Sequence, residues 1–197
     1  MIGYLKGEIT WKDPTYFIID VNGVGYEVKI SLNTFTRLKD QKNCKIYTYL
    51  YIKEDAHLLY GFYDQVEKWL FTQLITVSGV GPSTAIMMLS SMNVNEIQEA
   101  IATEDVGLIK SVKGIGSKTA ERVILELKDK IKKGIMEERT SETTAYDHGL
   151  LRNEALSALI TLGFQKSQAE KSIHNILKNA NKDITLEEVI KLALKSS

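Results

Sequence analysis

The strongest constraint on this chain is an internal duplication. Residues 74–85 read LITVSGVGPSTA and residues 109–120 read IKSVKGIGSKTA, aligned throughout at an offset of 35 residues. Each copy places an apolar helical stretch before a Gly-apolar-Gly turn and small residues after it. Helical spacing is clear at Val66, Leu70 and Leu74 ahead of the first turn. It returns at Ala120, Val123, Ile124 and Leu127 beyond the second. Residues 64–133 are therefore expected to hold two helix–turn–helix units in tandem.

The chemistry of such a turn is specific. Gly79 and Gly81, like Gly114 and Gly116, carry no Cβ, so the backbone can turn sharply and a partner can approach closely. Val80 and Ile115, between them, can anchor the turn in a core. Pro82 suits the first turn of the following helix. That helix opens with unsatisfied N–H groups and the positive end of its dipole, for which a phosphate is the natural ligand. This is the helix-hairpin-helix pattern, and contacts to phosphate carry no base information. The plainer alternative is that Gly-x-Gly only closes a helical hairpin; two aligned copies weigh against it.

Charge favours the second copy. Residues 110–133 hold Lys110, Lys113, Lys118, Arg122, Lys128, Lys130, Lys132 and Lys133 against three acidic residues, whereas residues 64–109 hold only Lys68 against six. A solvated lysine face is the competing reading. The candidate DNA-binding set is Gly79, Val80, Gly81 and Ser83 in the first copy. In the second it is Lys110, Lys113, Gly114, Ile115, Gly116, Ser117, Lys118 and Arg122. The run Gly114-Ile-Gly-Ser-Lys-Thr119 brushes against a nucleotide-binding P-loop. That motif needs a glycine directly before the lysine and another five residues earlier, where Ser117 and Val112 stand.

Residues 1–63 read as β. Tyr16 to Val21 is a strand-like run, Asn22-Gly23 favours a tight hairpin, and Val24, Tyr26, Val28 and Ile30 alternate onto one face. With residues 2–10, 45–52 and 57–62 this makes five strands, and residues 31–38 form a short helix between the third and fourth. That order suits an OB-type barrel. Residues 134–150 are polar and aperiodic and read as a flexible linker. Residues 151–197 read as a three-helix module, with capping-box patterns at Ser167/Glu170 and Thr185/Glu188 and a glycine stop at Gly163. The fold class expected is a multidomain chain, β first and all-α after it.

The whole chain has 25 basic and 25 acidic residues, less basic than is usual for a nucleic-acid binder. Cys44 is the sole cysteine, which excludes a disulfide framework and a cysteine-based zinc site. The opening residues lack a signal-peptide pattern and no apolar run is long enough to span a membrane, so a soluble cytoplasmic protein is expected. His57, His148 and His174 fall in different regions, and neither metal-ligand spacing nor a nucleophile elbow occurs, so no catalytic residue and no metal site are assigned. A nuclease, glycosylase or ligase fragment would need such a cluster. A purely protein-binding adaptor built on the barrel and the last module is the other rival.

The whole chain resembles the RuvA family. The resemblance is carried by Lys53-Glu54-Asp55-Ala56-His57-Leu58-Leu59-Tyr60-Gly61-Phe62, by Gly79-Val80-Gly81-Pro82 and by residues 114–122. The opening residues 1–7 and residues 23–28 also fit. It implies a non-catalytic subunit without a cofactor, since ATP is used by its partner motor. The expected assembly is a homotetramer with four-fold symmetry, one or two per junction, holding a four-way DNA junction open for recombination and DNA repair. Glu54 and Asp55 would ring the centre as an acidic pin, although an adjacent carboxylate pair at a strand end is ordinarily a solvated turn. The last module, which resembles ubiquitin-associated (UBA) domains in outline, would dock on the hexameric ATPase RuvB. Leu159, Leu162 and Phe164 are the candidate partner contacts, with helix capping and core packing as the alternative. The RuvC resolvase is a further implied partner. Two departures stand out, because the family commonly has lysine at Ser83 and often at Ser117.

Overall fold

The computed structural model describes residues 1–140, 148–179 and 184–195. Its first compact unit covers Met1–Gly134. Five strands, β1 (Tyr4–Asp13), β2 (Tyr16–Val21), β3 (Val24–Ile30), β4 (Asn43–Ile52) and β5 (His57–Phe62), close into a barrel in the order β1-β2-β3-β5-β4. Helix α1 (Leu32–Leu38) joins β3 to β4, capped by the Ser31 hydroxyl. This is the five-stranded OB-type arrangement that the alternation implies. Phe17, Ile19, Val28, Ile30 and Ile46 point inward and are fully or almost fully buried. Asn22 and Gly23 both take positive φ, 53° and 87°, and so make the two-residue turn that pairs Val21 with Val24.

The first strand differs from the expectation of residues 2–10. It begins at Tyr4 and runs on to Asp13. Its first half pairs with β4 and its second half with β2, with a register shift between Ile9 and Trp11. Such an irregularity bends a strand and increases its twist, which lets one long strand serve two neighbours and close the barrel.

Five helices complete the unit: α2 (Gln65–Leu74), α3 (Pro82–Ser91), α4 (Val94–Ala102), α5 (Val106–Lys110) and α6 (Ser117–Thr140). Asp64 caps α2, Asn93 and Glu96 form a capping box on α4, and Asp105 caps α5. The barrel and the helices are locked together by a buried carboxylate. Glu67 of α2 is only 4% exposed. It accepts hydrogen bonds from the Ser31 hydroxyl at 2.6 Å, the Thr34 hydroxyl at 2.6 Å and the Tyr63 N–H at 2.9 Å. Beside it, Asn33 Nδ2 donates to the carbonyls of Leu89 and Met92 at the end of α3, at 2.6 and 3.0 Å. The Phe71 ring packs on Tyr49, Tyr60 and Phe62 of the barrel, with centroids 5.5, 5.3 and 4.8 Å away.

The second unit, Ile135–Ser197, contains α7 (His148–Thr161), α8 (Lys166–Asn179) and α9 (Leu186–Lys195). Ala155, Leu159, Ala169, Ile173, Val189 and Ala193 form its core. Gly163, at φ 95°, ends α7 as expected: Phe164 N–H bonds the Leu159 carbonyl and Gly163 N–H bonds the Ile160 carbonyl, both at 3.0 Å. The Thr185/Glu188 capping box forms reciprocally, at 3.1 and 3.3 Å. The one expected at Ser167 does not cap the helix, because α8 already starts at Lys166 and Ser167 lies inside its first turn.

Within residues 134–150, expected as a linker, the backbone is helical up to Thr140 and again from His148, and residues 141–147 lie outside the described residues. Met, Glu and Arg are good helix formers, and extending an existing helix is far easier than starting one, so α6 runs past Gly134.

Removing the Glu67 carboxylate leaves two hydroxyls and one N–H to re-pair in the interior. Glu67→Ala is expected to destabilise the first unit by about 3 kcal/mol and Glu67→Gln by about 1 kcal/mol, since the hydroxyls can rotate to meet an amide. Urea unfolding followed by tryptophan fluorescence measures both; equal losses would show that an amide cannot replace the carboxylate and that the volume lost in the alanine variant adds nothing.

Candidate nucleic-acid interface

The two turns of the repeat fold alike. In the first, Val77 N–H bonds the Leu74 carbonyl, Val80 N–H bonds Val77, and Ala85 N–H bonds Gly81. In the second, Val112, Ile115 and Ala120 repeat these bonds to Ile109, Val112 and Gly116. Gly79 and Gly114 both sit at φ 93°, the left-handed region that favours glycine. Val80 and Ile115 are buried between exposed glycines, as the pattern requires of anchors. Each turn therefore presents its backbone to solvent while its apolar residue holds it to the core.

The helix that follows each turn begins openly. Gly81, the residue before α3, has no side chain to cap it, and Pro82 stands at the first helical position. The first intrahelical bonds in the two copies are made by Ala85 and Ala120, so the N–H groups ahead of them keep the anion-binding character of a helix start. Around the second turn Lys110, Lys113, Ser117, Lys118 and Arg122 are all exposed. Lys128, further along α6, is drawn into an ion pair with Glu104. The P-loop comparison also meets a structural obstacle, because the short helix α5 precedes Gly114 where that motif has a strand.

Two site residues have neighbours outside their own hairpin. Burial pushes the Tyr60 phenol above its ordinary pKa, and the Ser83 hydroxyl beside it pulls it partly back down. Ser83 is exposed, as is Lys118, its counterpart in the second copy. Arg122 donates through Nη1 to the Ser78 carbonyl at 3.3 Å, in the other hairpin. Sequence reading missed Ser78 and Thr119 as neighbours across the two copies. Thr119 was visible only as a small residue after the turn, and nothing local marks a contact 40 residues away.

Glu54 and Asp55 lie at the centre of the four-residue loop between β4 and β5, closed by the Lys53 N–H to the Ala56 carbonyl at 2.8 Å. Both are exposed, and neither carboxylate is paired with a cation among the described residues. In the second unit Leu159 is fully buried, so it packs the module and cannot face a partner. Phe164 is half-buried against the same core, whereas Leu162 is exposed, as are Ile160, Leu192 and Leu194. No helix among the described residues is long and apolar enough to cross a membrane.

An OB-type barrel locked to a tandem helix-hairpin-helix unit, with lysines around a solvent-facing turn, defines a DNA-binding class of protein. Residues 1–61 match the RuvA N-terminal domain, residues 71–129 a SAM-like helix-hairpin-helix tandem and residues 150–197 the RuvA C-terminal domain. The Holliday junction branch migration complex subunit RuvA of Cytophaga hutchinsonii is 53% identical over 199 residues, covering 100% of both chains. The subunits of the same name from Christiangramia forsetii and Bacteroides fragilis are 50% and 46% identical, each covering 99% of both chains. The chain belongs to the RuvA family.

The conformations of the turn glycines give a direct stability test. Gly79→Ala and Gly114→Ala force a side chain into the left-handed region and are each expected to cost about 1–2 kcal/mol. Gly81 lies at φ −86°, and an added Cβ at Gly81 or Gly116 meets nothing within 4 Å. Gly81→Ala and Gly116→Ala should therefore cost only about 0.5 kcal/mol, the cap preference of glycine over alanine. Denaturant midpoints of the four variants decide it, and equal costs at all four positions would contradict the assignment.

Proposed function

We propose that this protein binds four-way DNA junctions by their structure rather than their sequence, and hands them to a separate motor. The observation that carries the reading is the pair of like hairpin turns, both with exposed backbone at a helix start and one ringed by lysines. Two phosphate grips a fixed distance apart suit a backbone read through its shape. The barrel holds the Glu54–Asp55 loop as an unpaired acidic tip in the same rigid unit.

In a homotetramer with four-fold symmetry, four such tips would converge where the arms of an open junction meet. Their charge would repel phosphates and steer each strand into an arm. It would also disfavour a continuous duplex lying across the centre. No catalytic residue, metal or cofactor of its own enters this reading; ATP is consumed by the RuvB hexamer, which the C-terminal module recruits. Exposed Leu162, with Ile160, Leu192 and Leu194, supplies apolar surface for that docking. RuvC resolvase would act on the same complex, with one tetramer or two on the junction, in the cytoplasm, during recombination and repair.

Binding assays with one four-way junction and a duplex of matching sequence test this. Eight hairpins per tetramer engaging about eight phosphates give a log–log salt slope on the order of −7. Affinity should fall on the order of 10³-fold or more between 50 and 200 mM salt. Combining Glu54→Gln with Asp55→Asn should tighten duplex binding and narrow the preference for junctions while leaving the melting temperature unchanged, because exposed charges contribute little to folding. Leu162→Asp should leave junction binding intact and abolish stimulation of the motor's ATPase. Equal affinity of the wild type for junction and duplex would sink the proposal.

A further inference from the structure

The two hairpins are copies in backbone but not in charge. At the 35-residue offset, Ser78, Ser83 and Met87 stand where the second copy has Lys113, Lys118 and Arg122. The first hairpin has no cation of its own: Lys68, the single basic residue in 64–109, donates to the Gly3 carbonyl on the barrel at 3.4 Å. Its one polar candidate, Ser83, is exposed but brings no charge. Backbone amides and neutral hydroxyls alone would then face a phosphate there.

The tertiary structure brings a cation to this turn from the other copy. Arg122 Nη1 bonds the Ser78 carbonyl, one residue ahead of Gly79. Thr119 Oγ1 and Cγ2 lie 3.5 and 3.7 Å from the point that a Cβ on Gly79 would occupy. Thr119 and Arg122 sit two and five residues beyond the start of α6, roughly 3 and 7.5 Å along its axis. The first two turns of that helix therefore lie against the first hairpin. The relation is one-way. The corresponding point at Gly114 meets nothing within 4 Å, and Met87, the counterpart of Arg122, has no N–H to donate from its side chain.

A guanidinium offers five N–H donors, and the Ser78 carbonyl uses one of them. Bonding to a neutral carbonyl leaves its full charge, and its planar fork suits phosphate oxygens. Arg122 is exposed. We propose that Arg122 is the cation of the first hairpin. The phosphate at Gly79-Val80-Gly81 is held by amides of the first copy and by a guanidinium lent from the second, while Lys113 and Lys118 serve the second turn. The first grip is incomplete without α6, so the two grips act as one clamp. This rests on the phosphate-gripping reading above.

The test uses the full-length protein and four-way junctions carrying one uncharged methylphosphonate linkage, moved stepwise along an arm. Wild type should show two groups of sensitive linkages, each weakening binding on the order of tenfold, as expected for a charged hydrogen bond. Gly81→Ala and Gly116→Ala, which place a methyl over one turn or the other, identify which group belongs to which hairpin. Arg122→Ala should abolish sensitivity in the Gly81 group and Lys118→Ala in the Gly116 group. Adding Ser83→Lys to Arg122→Ala should restore the Gly81 group. If Arg122→Ala melts too low to assay, Arg122→Gln keeps a donor for Ser78 without the charge and should give the same map. Loss of the Gly116 group instead, or unchanged sensitivity in both, overturns the proposal. Absence of any sensitive linkage in the wild type overturns the phosphate reading beneath it, a distinct result.

Discussion

A single carboxylate sits at the point where the barrel becomes a helical domain. Glu67 lies one turn into α2, yet its two oxygens are occupied by the N-cap and first turn of α1 and by the chain leaving β5. A buried carboxyl group is tolerable only when its oxygens are paired, and here three donors from two segments of the chain pair them. Because Ser31 also caps α1, the same hydroxyl that receives the Thr34 N–H donates to Glu67. The start of α1, the exit from β5 and the first turn of α2 are thereby set together. Asn33 then carries the constraint on to α3, whose N-terminus is the first hairpin. The placement of the first hairpin turn against the barrel is a consequence of this junction.

The hairpins illustrate how a duplicated backbone can support an unequal chemistry. The left-handed glycine, the buried Val or Ile and the alanine that makes the first intrahelical bond recur in both copies, because each is dictated by the turn itself. The side chains around them are free of that demand. In the first copy Ser78, Ser83 and Met87 are exposed and uncharged, while Met88 and Leu89 are buried like their counterparts Val123 and Ile124. The second copy carries Lys113, Lys118 and Arg122 at the matching exposed positions. Zero net charge over the whole chain is therefore compatible with binding DNA, since residues 110–133 carry an excess of basic over acidic residues while residues 64–109 carry the reverse.

The C-terminal module divides its apolar residues between two tasks. Its core is built from three alanines, a valine, a leucine and an isoleucine, so three short helices can approach closely. That leaves Leu162, Ile160, Leu192 and Leu194 outside. A small core makes only a marginally stable domain. An exposed apolar surface beside it is what a docking element requires.

Much of this was legible in the sequence because it depends on local rules. Strand alternation, the Asn22-Gly23 turn, the glycine stop at Gly163 and the hairpin repeat are each written within a few residues, and each folds as written. The differences also have local causes: polar helix formers carry α6 past Gly134, and Ser167 resembles a cap because helix starts are ambiguous by a residue. The sequence by itself determined the barrel, the two turns and their capacity to meet an anion, since those follow from backbone geometry and side-chain period. Only the tertiary structure decided that Leu159 is core, that Glu67 joins two domains and that Arg122 reaches Ser78. These are contacts between residues far apart in the chain, and they arise from how the elements pack, which no local pattern encodes.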